Sequence, residues 1–206
     1  NKKIMKTKKG FTLLELLIVI GILAILSTTV VLVINPAELL KKARDSQRIS
    51  DLSTVKTAIA YYVTEAASPI IGSDTYSYSV VATTACDSRT PTSTALQLTD
   101  GTGWIPVAFD DIAGGSPIAS LPIDPNPTGV TPASGKAHYY VYVTNASNFT
   151  FELLANMESA YYSNGGGGDV ESTDGGASGL DHLYEVGTEL NIITVSSGTC
   201  LAGDGT

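Results

Sequence analysis

A carboxylate, Glu15, stands inside the apolar run Phe11 to Ile34 and is its one charged residue. A charge placed in hydrocarbon costs about 3 kcal/mol on insertion scales, so it is expected to have a partner or a task unless it can reach the membrane interface. The remaining inventory of reactive groups is thin. His138 and His182 are the two histidines, and neither stands in an HExxH or other metal-ligand spacing. The chain holds no GxSxG and no phosphate-binding P-loop pattern. Asp110 and Asp111 are adjacent, and neighbouring residues of a strand face opposite sides, so the pair suits a loop end better than shared acid–base work. No residue is assigned a catalytic role. The Gly-rich stretch 164–181 supplies Asp169, Glu171, Asp174 and Asp181, hard oxygen donors of the kind calcium takes. Their spacing fits neither an EF-hand nor the Gly-Asp nonapeptide repeat, so a surface loop is the first reading and no metal ligand is assigned. Asn145-Ala-Ser and Asn148-Phe-Thr have the glycosylation triplet, which arises readily by chance in a chain so rich in Asn, Ser and Thr.

The elements around Glu15 decide what it can do. Phe11–Ile34 is 24 residues long, and as a helix it would measure roughly 36 Å, enough for a bilayer core of about 30 Å. Lys2, Lys3, Lys6, Lys8 and Lys9 precede it without acidic companions, whereas Lys41, Lys42, Arg44 and Arg48 beyond it are mixed with Glu38, Asp45 and Asp51. The positive-inside bias then predicts a single pass with the N-terminus in the cytoplasm. A cleaved secretory signal is a poor match, because the run is too long and Ser27-Thr28-Thr29 lies inside it. A plain anchor accounts for everything but Glu15. Residues 1–56 carry ten Lys/Arg against four Asp/Glu, and residues 57–206 carry two against sixteen. That acidic remainder argues against a nucleic-acid partner, which needs a basic face. Cys86 and Cys200 are the two cysteines. In an oxidising compartment they could pair across a long loop; the alternative is two free thiols.

Asn35-Pro36-Ala37-Glu38 reads as a break with a fresh helix start, Asn capping, Pro opening and Glu closing a capping box. From Pro36 to about Ala67, apolar residues recur at Ile49, Leu52, Val55, Ile59, Tyr62, Val63 and Ala66, a single stripe after a charged start with Glu38–Lys42 and Lys41–Asp45 at i,i+4. Beyond Ser68-Pro69 the composition turns to Thr, Ser, Gly, Tyr and Val. Strands are expected at Tyr76–Ala82, at Trp104–Phe109 as an edge limited by Pro106, and at Ala137–Thr144 and Phe149–Met157 as a hairpin. Leu183–Val186 and Leu190–Val195 form a further candidate pair, and 116–128 is a Pro-rich loop. The expected fold class is α+β: a long N-terminal helix, transmembrane in its first half and amphipathic in its second, packed on a small, mainly antiparallel sheet. The boundaries are 1–10, 11–35, 36–67 and a β-rich extracytoplasmic head over 68–206.

Lys8-Lys9-Gly10-Phe11-Thr12-Leu13-Leu14-Glu15-Leu16 resembles the N-terminus of type IV prepilins and type II secretion pseudopilins. The resemblance implies a basic leader ending at Gly10, cleavage between Gly10 and Phe11 by a prepilin peptidase, and N-methylation of Phe11. It implies that Glu15, fifth from Phe11, pairs with the Phe11 amine of a neighbouring subunit and sets the register of assembly. The implied partners are identical or homologous subunits in a helical filament, the peptidase, an inner-membrane assembly platform and the membrane. The implied course is an inner-membrane precursor followed by an extracytoplasmic or cell-surface filament. Gly103-Trp104-Ile105-Pro106 and Leu121-Pro122-Ile123-Asp124-Pro125 look like the Leu-Pro-x-Asp-Pro loop of major pseudopilins, although Asn126-Pro127 departs from the Trp-Gly that often follows. Those relatives are known for a calcium site in the C-terminal part of the head, which makes calcium in 164–181 the lesser alternative to a bare loop; no other cofactor is expected. A long surface pilus and a short pseudopilus both remain open, as does a membrane-anchored binding protein that never polymerises.

Overall fold

The structure, a computed structural model, describes residues 10–73, 76–79, 97–127, 138–175 and 182–192. The chain divides into two compact units, Asn1–Leu39 and Leu40–Thr206. The first contains α1, Leu13–Ile34. Its Ser27-Thr28-Thr29 is helical, and the two threonine hydroxyls donate to the Ala24 and Leu26 carbonyls at 2.9 and 2.8 Å. Back-bonding of this kind hides polar groups inside an apolar helix. At Asn35 the backbone turns left-handed, with φ 45°, ending α1. Asn tolerates that conformation better than most residues. The Asn35 carbonyl then accepts from the Glu38 and Leu39 N–H groups, and α2, Pro36–Glu65, begins. The break therefore falls where the Asn-Pro pair predicts it.

In the second unit, α2 buries Asp45, Arg48, Leu52, Val55, Ala58, Ile59 and Tyr62, a face at three- and four-residue spacing. Val63 and Ala66 pack partly buried against the same core. The stripe was legible from Leu52 onward, but it starts two turns earlier, with charged residues. Among the described residues, four antiparallel strands lie in chain order: β1 Tyr76–Tyr78, β2 Val141–Asn145, β3 Thr150–Ala155 and β4 Tyr184–Gly187. The β2–β3 hairpin is confirmed, with Tyr142 opposite Leu153 and Thr144 opposite Phe151. Tyr140, Tyr142, Phe151, Leu153 and Ala155 join the α2 stripe in one core, and Tyr142 donates its hydroxyl to the Ile71 carbonyl at 2.6 Å. Val141, Val143 and Leu154 on the opposite face are buried too, so β2 reads as an unbroken Tyr-Val run rather than a polar–apolar alternation. Gly187 stands where β4 passes β3 closely; a Cβ there would collide with the Phe151 carbonyl.

One expectation is corrected. Trp104–Phe109 is not a strand. Val107 and Phe109 donate to carbonyls two residues back, Asp100 makes a lone bridge with Ala108, and Phe109–Asp111 is a single 3-10 turn. Pro106 lacks a donor and interrupts any ladder. The side chains are buried all the same, because Trp104, Ile105, Val107, Phe109 and Leu121 cover the α2 stripe. The Trp104 indole N–H donates to the Pro122 carbonyl at 2.9 Å, binding the two halves of this cover together. Leu183–Val186 pairs with β3; residues 193–195 of its expected partner lie outside the described residues, as does 80–82 of the first expected strand.

The buried start of the α2 face is an ion network. The Arg48 guanidinium, fully buried, meets Asp124 through two bonds of 2.7 Å, Asp45 at 2.7 Å, and Glu158. Arg44 forks onto Glu158. Asp45 also accepts the Glu158 and Ser159 N–H groups at 2.9 and 2.7 Å rather than serving an i,i+4 pair alone. Burial pushes the Glu158 pKa up, but the Arg44 and Arg48 guanidiniums more than reverse this and hold it at about 2. The unfolded group titrates at about 4.5, so its contribution is full above that pH and is lost as pH falls toward 2. An acid titration of unfolding should therefore show roughly 2 kcal/mol lost through this window, and Glu158→Gln should flatten that slope. Asp51, whose carboxyl burial raises, works in the opposite sense and cancels in the comparison of the two proteins.

Candidate functional site

The Gly10–Phe11 bond lies in non-helical backbone immediately before α1, and Gly10 and Phe11 are exposed. A Cβ on Gly10 would meet nothing, so folding does not require glycine there. Exposed, irregular backbone is what a peptidase can draw into its cleft. Thr12 is the N-cap of α1. Its side-chain oxygen accepts from the Glu15 N–H at 3.2 Å, while the Glu15 carboxylate accepts from the Thr12 N–H and hydroxyl at 2.9 and 2.8 Å. This reciprocal capping box satisfies donors that a helix start leaves open. It also fixes the Glu15 carboxylate at the mouth of the helix, bonded to Thr12, the residue that follows Phe11. Thr12 went unremarked in the sequence, although Thr-x-x-Glu before an apolar run is the pattern of such a cap.

Beyond the cap, α1 is apolar on every side. Leu13–Val31 is long and apolar enough to cross a membrane, and none of that segment is buried. A large apolar side chain left in water forgoes about 1.5–3 kcal/mol of burial, so a helix in this state requires lipid, other helices or both. Small residues at Gly21, Ala24 and Ser27 leave room for close helix approach.

The other candidates belong to the second unit. Asp110 and Asp111 sit exposed in the 3-10 turn, with the Thr99 hydroxyl donating to Asp110 at 3.2 Å. His138 is half-buried in the segment leading into β2, its pKa lowered by burial; His182 precedes β4. Asn148 is exposed at the hairpin turn and Asn145 is half-buried at the end of β2. In the acidic loop, Asp169 accepts from the Gly165, Glu171 and Ser172 N–H groups, and Ser172 also donates its hydroxyl. Those donors hold the Asp169 pKa at about 2. Glu171 is buried and accepts from the Met157 and Asn164 N–H groups, both at 3.0 Å, while Asp174 accepts from Glu185 N–H at 2.7 Å. Among the described residues, no three His, Cys, Asp or Glu side chains are grouped so as to hold a metal. Asp181, Cys86, Cys200 and the leader residues before Gly10 lie outside the described residues.

Residues 5–31 match the family described as the prokaryotic N-terminal methylation motif. No curated protein and no solved structure matches the chain. That family is defined by a processing and structural motif and is not a class of enzyme. The matched span covers the accessible Gly10–Phe11 bond, the Thr12–Glu15 cap and most of the exposed apolar helix, and by it the chain carries the signature of the type IV pilin and pseudopilin prepilin-type proteins.

Proposed function

We propose that this chain is a structural subunit of a type IV pilus-like or type II secretion filament. The precursor sits in the inner membrane through α1 with its basic N-terminal side in the cytoplasm and residues 68–206 outside. A prepilin peptidase cuts after Gly10 and methylates the Phe11 amine. Subunits then leave the bilayer and stack through residues 11–35, while 36–67 carries the head. Burial of the apolar helix drives assembly. The single observation that carries this reading is the accessible Gly10–Phe11 bond set against a capped, wholly exposed apolar helix that bears one carboxylate.

Cleavage leaves a positive charge on Phe11, four positions before Glu15. In a low-dielectric bundle the Glu15 carboxylate of one subunit and the Phe11 amine of the next attract strongly, and an unpaired carboxylate is costly. Glu15→Gln separates the two tasks of this side chain, because glutamine still completes a capping box but carries no charge. Helix α1 and membrane insertion should survive, while filament yield falls by about tenfold or more. Electron microscopy of material sheared from cells, with mass spectrometry of its N-terminal peptide, tests this. N-methylated Phe11 in wild-type filaments and their loss in the variant are expected. Protein found only in membranes with the leader attached would instead favour an anchored binding protein that never polymerises.

A further inference from the structure

The two glycosylation triplets, Asn145-Ala-Ser and Asn148-Phe-Thr, stand side by side in the sequence. A triplet alone says little, but the fold of the second unit separates the two. Asn145 is the last residue of β2 and half-buried. It lies opposite Thr150 in the ladder, and its carbonyl accepts from the Asn148 N–H at 3.3 Å. Asn148 stands in the turn between β2 and β3 and is exposed. Its backbone N–H closes the turn, while its carboxamide makes no hydrogen bond among the described residues. Phe149 follows in left-handed backbone, φ 55°, and leads the chain back into β3. Thr150 donates its hydroxyl to the exposed Glu189 carboxylate at 2.8 Å. An exposed bond of this kind exchanges with water at little net cost, so the hydroxyl stays available to a partner.

We propose that Asn148 is a glycan attachment site, filled from a lipid-linked oligosaccharide by a membrane-bound transferase; this rests on the orientation given above, with residues 68–206 outside. Asn148 Nδ2 bonds to the anomeric carbon of the first sugar while the bond from that carbon to the lipid phosphate oxygen breaks. The lipid phosphate leaves with the bonding pair, and Nδ2 gives up one proton to a base of the transferase. The step is a substitution and needs no oxidant or reductant. An amide nitrogen is a weak nucleophile, so it must be held in line with the sugar, and the hydroxyl two residues on is the group by which a transferase can hold it. Thr150 supplies that hydroxyl. The transferase must also enclose the carboxamide, which an exposed turn allows and a ladder residue does not. A sugar is bulky and hydrated, and on Asn148 it reaches water without displacing a bond. In the precursor α1 tethers the head to the bilayer, where a lipid-linked donor is also confined, and this raises the local concentration of each for the other.

The test is glycopeptide mass spectrometry of the full-length chain from its own cells, taken both from membranes and from sheared filaments, with fragmentation that assigns the sugar to a residue. A sugar on Asn148 and a bare Asn145 are expected. Asn148→Gln and Thr150→Ala should each abolish the addition, Thr150→Ser should keep it, and Asn145→Gln should leave it unchanged. Asn148→Gln should melt at the same temperature as wild-type protein stripped of its sugar by an amidase, which shows that the loss is not misfolding. Bare Asn148 in filaments that carry N-methylated Phe11, or a sugar confined to Ser and Thr hydroxyls, overturns the attachment site and leaves the filament reading standing. Glycosylated Asn148 on chains found only in membranes with the leader attached supports the site and overturns the filament reading.

Discussion

Arg48→Ala lowers the melting temperature of the full-length chain in detergent by about 10 °C or more. Removing the guanidinium leaves Asp45, Asp124 and Glu158 facing one another with Arg44 alone to balance them, and Asp45 and Asp124 are fully buried. Breaking one partner out of a buried ion cluster typically costs 3–5 kcal/mol. For a domain of this size each kcal/mol moves the midpoint by about 2–4 °C. Arg48→Lys should fall between the two proteins, because an ammonium keeps the charge but cannot make the paired bonds to Asp124. A shift under about 2 °C for the alanine variant would mean the cluster does not fasten the Asp124 loop and Glu158 to α2.

Gly10→Val abolishes leader removal, with processed protein reduced at least about 100-fold, and leaves the fold intact. The added side chain has no neighbour to strike and lies outside both helices. Its effect therefore reads on the peptidase, whose cleft must accept the residue before the cut bond. The difference corresponds to about 3 kcal/mol of lost transition-state binding. Intact mass of the N-terminal peptide measures it, and an unchanged melting temperature shows that the fold is not the cause. Normal cleavage of the valine variant would move the processing site away from Gly10.

The residues proposed here for processing and assembly carry information that is local. Gly10, Phe11 and Glu15 lie within six positions, and the run after them needs no tertiary context to read as a helix that avoids water. The α2 stripe and the hairpin were legible for the same reason, each through a period that three or four residues reveal. The ion network was not. Arg48 meets Asp124 and Glu158 at separations of 76 and 110 residues, and no local pattern names such partners. In the sequence Arg44 and Arg48 served only to weigh the charge flanking a membrane helix. Trp104–Phe109 failed for a related reason. Its residue types favour strands, but β-propensity mostly reflects a half-buried surface, and here that surface is provided by a loop laid over α2.

The acidic loop has a consequence for how this surface can change over generations. Its course is held by backbone N–H groups gathered onto Asp169 and Glu171, and by glycines at 166 and 168 that lie too near the Ala160 and Tyr161 carbonyls and the Tyr161 ring to accept a side chain. The Ser172 and Thr173 hydroxyls close back onto Asp169 and belong to the same frame, and Gly175, at φ 91°, turns the chain where a side chain would be strained. The chemical face of the loop could thus be rewritten at Asn164, whose exposed side chain takes no part in these bonds, while the underlying contour stays constant. The carboxylates, hydroxyls and glycines of that frame would be the positions that resist drift.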